Sequence, residues 1–97
     1  MICRKDILEY LKQSEDRFRN EYGVTRIGVF GSYARQNENN ESSDIDIIVE
    51  MENPSFDHYM DLKFELEDQF QKSVDLVLKE TVKPRLKPVI ESETVYV

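Results

Sequence analysis

Three aspartates lie in segments that otherwise have the composition of β-strands. Asp44 and Asp46 are in the run DIDIIVE, and Asp75 is in the run SVDLVL. Aspartate is depleted in strands and is rarely buried unless it is paired or binds a metal. Residues two apart in a strand project from the same face, so Asp44 and Asp46 share a face. Asp75 joins them if its strand is a neighbour in register.

This arrangement of carboxylates has a definite chemical use. Three neighbouring carboxylates repel one another unless a cation lies between them. Ligands that are all oxygen favour Mg²⁺ or Mn²⁺ over zinc. Two such ions can stabilise the attacking and the leaving oxygen of a phosphoryl displacement. Taken alone, the three aspartates are compatible with this metal site or with a solvated, polar strand end.

A glycine–serine pair precedes the first two aspartates. Gly31 and Ser32 follow the apolar run TRIGVF and come before a short helical segment. Glycine allows a close backbone approach, and free N–H groups at a helix start attract an anion. The Ser32 hydroxyl adds a donor, and Arg35 could reach a phosphate or brace an aspartate. A phosphate-binding turn followed by a strand with two carboxylates predicts a site for a metal–triphosphate complex.

Alternation and helical periodicity place these residues in the order α-β-α-β-α-β-α-β. The fold class that this order predicts is α/β (α+β), with helices packed on a small β-sheet, and the order leaves open which strands run parallel. The predicted elements are a helix over 5–20, a strand over 25–30, a short helix over 33–36, a strand over 44–50, a helix from 55 to about 72, a strand over 73–78, a short helical piece between Pro84 and Pro88, and a strand over 94–97.

The long helix after Ser55 is expected to supply part of the core. Gly23 is expected to end the first helix, and Asn53–Pro54–Ser55 to form a turn and helix N-cap. The large side chains of the long helix that are available for the core are Phe56, Tyr59, Met60, Phe64, Leu66 and Phe70. We expect Phe64 to lie in the core and not at an interface.

Length, charge and cysteine usage limit the class of protein. With 97 residues, the chain is expected to form one domain, 1–97. Its net charge is −7, from 13 basic and 20 acidic side chains, which argues against direct nucleic-acid binding. A single cysteine excludes an internal disulfide and fits a cytoplasmic location. No apolar stretch approaches the ~18 residues of a membrane span.

Three segments together resemble a known superfamily. GSYAR (31–35), SDIDIIVE (43–50) and VDLVL (74–78) are similar to the motifs of the DNA polymerase β-type nucleotidyltransferases. The closest resemblance is to the minimal, single-domain (MNT) branch, and it covers nearly the whole chain. The resemblance implies the nucleotidyltransferase, polymerase β-like fold, with helices packed on a small mixed β-sheet.

The resemblance also implies a role for each of the six candidate residues. The nucleotide's triphosphate would contact Gly31 and Ser32, with Arg35 beside them. Asp44, Asp46 and Asp75 would bind Mg²⁺, with Mn²⁺ as an alternative. Asp75 would in addition act as general base toward the acceptor hydroxyl. The reaction would transfer a nucleoside monophosphate from a nucleoside triphosphate and release pyrophosphate.

Minimal nucleotidyltransferases resemble antitoxins whose partner is a HEPN-domain ribonuclease toxin. The implied reaction is then adenylylation of a toxin tyrosine with ATP as the substrate and Mg²⁺ as the cofactor. Two alternatives stay open. A non-catalytic antitoxin would neutralise its toxin by stoichiometric binding, through its acidic middle segment. A nucleotidyltransferase acting on a small molecule, such as an aminoglycoside, could form its acceptor pocket as a homo-oligomer.

Overall fold

The computed structural model of the protein describes residues 3–34 and 44–97, except for the side chain of Ser32. No helix in these two ranges is both long enough and apolar enough to span a bilayer. In chain order, the elements are α1 (Arg4–Gln13), α2 (Glu15–Tyr22), β1 (Val24–Phe30), α3 (Gly31–Ala34), β2 (Ile45–Met51), α4 (Phe56–Phe70), β3 (Val74–Leu78), a 3-10 turn (Lys79–Thr81), α5 (Lys87–Glu93) and β4 (Val95–Tyr96).

The four strands form one mixed sheet in the order β3-β2-β1-β4. β1 is antiparallel to β2 and to β4, whereas β2 and β3 are parallel. A parallel pair needs a crossover connection, and α4 provides it between β2 and β3. The predicted fold class, helices on a small mixed sheet, is confirmed.

The prediction of one continuous helix over 5–20 is wrong. The chain forms two helices that meet at Ser14, which is buried and has φ −95° and ψ 1°. Serine is a weaker helix former than alanine or leucine, so a bend there costs little. The bend leaves both Leu11 and Phe18 fully buried in the core.

Other predicted boundaries are confirmed. Gly23 ends α2 with φ +73°, in the left-handed region that favours glycine. Ser55 begins α4, because its Oγ accepts a hydrogen bond of 3.1 Å from the backbone N–H of His58. This serine cap satisfies one of the donors that a helix start leaves unpaired.

Alternation along β2 separates the core from the opposite face of the sheet. Ile45, Ile47 and Val49 are fully buried in the apolar core that includes residues of α1, α2 and α4. Asp46 and Glu50 are one position out of phase and therefore project from the other face. That face is partly covered on the side of α5, since Lys79 forms ion pairs with Glu50, at 3.6 Å, and with Glu91 of α5, at 3.0 Å.

α4 buries only one side of its circumference. Leu62, Leu66 and Phe70 lie in the core. Phe56 and Phe64 were expected there as well, but their exposures are 75% and 56%. The expectation was wrong for Phe64 because it lies on the far side of the helix from Leu62 and Leu66. It was wrong for Phe56 because this is the first residue of α4 and precedes Leu62, the first buried residue of the helix.

Candidate active site

The pairing of β2 with β3 places two of the candidate carboxylates side by side. In the parallel register, Asp46 lies opposite Asp75, and Ile47 lies opposite Leu76. Residues opposite each other in neighbouring strands project from the same face. Asp46 and Asp75 therefore share the face of the sheet that is turned away from the core.

The turn after β1 comes into close contact with the same carboxylate. Phe30, the last residue of β1, is the register partner of Asp46, and Gly31 follows it. A Cβ atom built on Gly31 would lie 2.1 Å from Oδ2 of Asp46, and the φ of Gly31 is +73°. Both the close approach and the left-handed backbone require glycine at this position. The glycine turn and the carboxylate are thus parts of one site.

The other three candidate residues are Asp44, Ser32 and Arg35. Asp44 directly precedes β2 and is exposed. The backbone pairing begins next to it, where the N–H of Ile45 donates to the carbonyl oxygen of Ser73 at 3.0 Å. Ser32 lies in α3, but its side chain is outside the described part. Arg35 lies wholly outside the described residues.

The single helical turn that carries Gly31 and Ser32 is held in place by its other residues. Tyr33 and Ala34 are buried, and both belong to the core. The carbonyl oxygen of Ala34 accepts a hydrogen bond of 3.1 Å from Nη1 of Arg4 in α1. These contacts fix the direction in which the chain leaves β1 and support the approach of Gly31 to Asp46.

A lysine that the sequence analysis did not consider lies close to this turn. Lys72, in the loop between α4 and β3, places its Nζ 6.0 Å from the centre of the Tyr33 ring. This distance is at the limit of a cation–π contact. The contact brings a positive charge to the end of the sheet where the glycine turn lies. Lys72 belongs to none of the sequence motifs, so only its position beside the Tyr33 ring in the folded chain indicates that it lies near the site.

Two side chains of α4 fix the free edge of β3, the strand that carries Asp75. The hydroxyl of Tyr59 donates to the carbonyl oxygen of Leu76. A carboxylate oxygen of Glu67 accepts from the backbone N–H of Val74 at 3.0 Å. Burial, and then the negative charge of Asp75, raise the pKa of Tyr59, so this hydroxyl keeps its proton and remains a donor. β3 is thereby held in register against β2.

The donor set fits a hard divalent cation. Asp46 and Asp75 offer carboxylate oxygens from adjacent strands, and a cation would relieve the repulsion of their like charges. Asp44 lies one alternation before Asp46 and can add a third oxygen ligand. As the side chains stand in residues 3–34 and 44–97, no three His, Cys, Asp or Glu side chains are grouped closely enough for a metal site. Binding of one cation by all three aspartates would therefore require a change of side-chain rotamer.

Similarity to known proteins extends over nearly the whole chain. The model of the nucleotidyltransferase domain family matches residues 11–97. The protein adenylyltransferase MntA of Thermococcus cleftensis is 38% identical over 98 residues, which cover 100% of this chain and 98% of that protein. A solved structure provisionally described as a minimal nucleotidyltransferase has a TM-score of 0.73 and 32% identity, over 91% of this chain and 93% of that chain.

A more distant match gives information about the fold alone. It is a structure of a tri-AMPylated HEPN toxin of Shewanella oneidensis in complex with an MNT antitoxin. Its TM-score is 0.63 at 20% identity, over 92% of this chain and 70% of that chain. Together, the site geometry, the family match and the relative of equal length lead to one conclusion. This chain belongs to the nucleotidyltransferase domain family and is an enzyme of that class, of the minimal type.

Proposed function

We propose that this chain transfers AMP from Mg²⁺-bound ATP to a hydroxyl group, a tyrosine in our hypothesis, of a HEPN-domain toxin, and so acts as an antitoxin. The observation that carries the proposal is the meeting of Asp46, Asp75 and Gly31 at one end of the sheet. The name of the Thermococcus relative and the AMPylated HEPN toxin in the more distant structure support the choice of AMP and of the partner.

Each part of the site has a role in this proposal. Gly31 and Ser32 would bind the triphosphate through the backbone of the turn, and Arg35 would bind the same phosphates. Asp44, Asp46 and Asp75 would hold Mg²⁺ or Mn²⁺. When bound, the metal supplies charge neutralisation at the phosphates. Lys72 adds a positive charge near the turn, which would stabilise the negative charge that develops on the leaving pyrophosphate.

The chemical step needs positioning more than covalent help. The acceptor oxygen forms a bond to the α-phosphorus, and the bond between that phosphorus and the oxygen bridging to the β-phosphorus breaks. Pyrophosphate leaves with the electron pair of the broken bond. The acceptor proton passes to a carboxylate oxygen of Asp75, which is exposed and can reach an acceptor from outside.

The test combines the purified chain, a HEPN-domain toxin from the neighbouring gene, ATP and Mg²⁺. We expect the intact mass of the toxin to rise by whole AMP units with the chain at about one-fiftieth of the toxin concentration, and peptide mapping to locate the AMP on tyrosine. Parallel reactions with GTP, CTP and UTP measure base preference. The matched control is α,β-methylene ATP, which cannot release pyrophosphate.

The outcomes separate the three candidate functions. Neutralisation of the toxin only by equimolar protein, without nucleotide, would show a binding antitoxin and contradict the transfer reaction. An unmodified toxin together with labelling of an aminoglycoside would show a small-molecule enzyme. Labelling of the toxin that continues without any divalent metal would contradict the roles given to the three aspartates.

A further inference from the structure

The solvent side of α4 carries a row of large apolar side chains. Phe56, Met60 and Phe64 follow one another at four-residue spacing, so they lie along one side of the helix. Phe56 and Phe64 are 75% and 56% exposed, and Met60 is half-buried. The row extends over ~12 Å of helix at ~1.5 Å per residue. We refer to these three residues as the apolar strip.

A row of carboxylates runs beside the apolar strip. Asp57, Asp61 and Asp68 are all exposed. At ~100° per residue, they lie along the same flank of the strip. None of the ion pairs formed among residues 3–34 and 44–97 includes any of the three. We refer to these residues as the acidic row.

The acidic row indicates what kind of surface covers the strip. A second copy of this chain would bring one acidic row near another if α4 packed antiparallel on α4, and like charges at an interface oppose association. A partner with apolar side chains flanked by lysine or arginine satisfies both rows. Exposed phenylalanines are typical of interface centres, and charged residues of interface rims.

We propose that the apolar strip and the acidic row form the docking surface for the acceptor protein, through a basic segment of that protein that carries apolar side chains. This inference rests on the proposed function, because it assigns the binding site of the partner that receives AMP. α4 lies on the core side of the sheet, whereas Asp46 and Asp75 project from the opposite face. Docking and transfer therefore use different surfaces of the chain.

The separation of the two surfaces makes binding testable without catalysis. Binding of the HEPN-domain toxin is measured by biolayer interferometry at 50 and 300 mM salt. The variants are Phe56→Ser with Phe64→Ser, Asp57→Lys with Asp61→Lys, and Asp46→Asn. The matched control is Leu86→Ser with Val89→Ser, at the N-cap and in the first turn of α5, where the side chains are 44% and 58% exposed. Circular dichroism verifies the fold of each variant.

We expect the double phenylalanine variant to weaken binding about 30-fold, since aromatic side chains at the centre of an interface are among those that dominate binding. The double lysine variant is expected to bind more slowly and to lose most of the salt dependence, because rim charges act on the association rate. The α5 control is expected to bind like the wild type. Asp46→Asn should bind equally well but fail to transfer AMP.

Three results would overturn the inference, and they differ from failure of the proposed function. Unchanged binding by the double phenylalanine variant would exclude this surface while leaving the transfer reaction intact. If the free wild-type chain is a dimer and this variant is a monomer, the strip binds a second copy of the chain. Absence of any binding by the wild-type chain would contradict the proposed function itself, and the apolar strip would then have no proposed partner.

Discussion

Two groups of carboxylates in this molecule have opposite electrostatic surroundings. Glu65 of α4 accepts hydrogen bonds from Tyr10 at 2.8 Å, from Tyr22 at 2.9 Å and from Nη1 of Arg17 at 2.9 Å. The hydrogen bonds from Arg17 and the two tyrosines lower the pKa of Glu65 to about 2. Glu65 thus joins α1, α2 and α4 on the core side of the sheet.

Asp46 and Asp75 are placed beside each other with the same charge. Like charges directly opposite in neighbouring strands destabilise a sheet. The comparison teaches that the donors around Glu65 make it a structural carboxylate, whereas the like charges of Asp46 and Asp75 disfavour each other and suit binding of a cation. Glu65→Gln should therefore lower the stability of the chain, whereas Asp75→Asn should raise it.

The largest expected effect is on catalysis. Asp46→Asn should reduce the initial rate of AMP transfer by about 1,000-fold, because the metal's stabilisation of the transition state amounts to several kcal/mol. Urea unfolding verifies that the variant is folded. Asp16→Asn, at an exposed carboxylate of α2, is the control and should leave the rate unchanged. More than half of the wild-type rate in Asp46→Asn would contradict the site.

The next effect tests the opposite member of the comparison. Glu65→Gln should lower the free energy of unfolding by about 2 kcal/mol, because three donors lose a charged acceptor. The folded-state pKa of Glu65, about 2, lies below its ordinary value of 4.5. The stabilisation is therefore complete above pH 4.5 and is lost as the pH falls toward 2.

Urea unfolding from pH 6 to pH 3 measures this dependence. The wild-type chain should lose about 1–2 kcal/mol over this range from Glu65 alone, after allowance for the solvent exposure of Arg17. The Glu65→Gln variant should show a correspondingly flatter profile. Identical profiles for the two proteins would show that Glu65 is not held by these donors in solution.

A smaller effect is expected at the glycine turn. Gly31→Ala should cost about 1–2 kcal/mol through its left-handed backbone, and should also reduce transfer, because the new Cβ displaces the carboxylate of Asp46. Gly23→Ala is the matched control, with the same φ of +73° but with its Cβ directed at the carbonyl oxygen of Glu52. It should lose stability without losing transfer per folded molecule. Equal transfer by both variants would contradict the contact with Asp46.

The smallest effect is a gain. Asp75→Asn should raise the free energy of unfolding by about 0.5 kcal/mol in the absence of divalent metal, because it removes a like charge from the cross-strand pair. Saturating Mg²⁺ should reduce or reverse the difference, since the wild-type pair then binds the cation. Thermal unfolding of the variant and of the wild-type chain, in EDTA and in Mg²⁺, measures this difference in stability. A loss of stability in EDTA would show that the pair is not repulsive.

Much of the local structure could be predicted from the residues themselves. Alternation in DIDIIVE sends the isoleucines to the core and Asp46 to the other face, because the side-chain period of a strand is two. Gly23 and Ser55 mark helix ends by their own backbone and side-chain chemistry. The motifs at 31–35, 43–50 and 74–78 were sufficient to identify the superfamily, and the comparisons confirm it.

What tertiary structure decided is which distant residues meet. No local pattern states that β3 pairs in parallel with β2, so the position of Asp75 opposite Asp46 depends on the crossover through α4. The contact of Gly31 with Asp46 likewise depends on the register of β1 and β2. Exposure of Phe64 could not be read from its type, because a helix that contacts the core on one side leaves apolar residues of its other side in solvent. Local chemistry thus determined the elements, and long-range pairing determined the site.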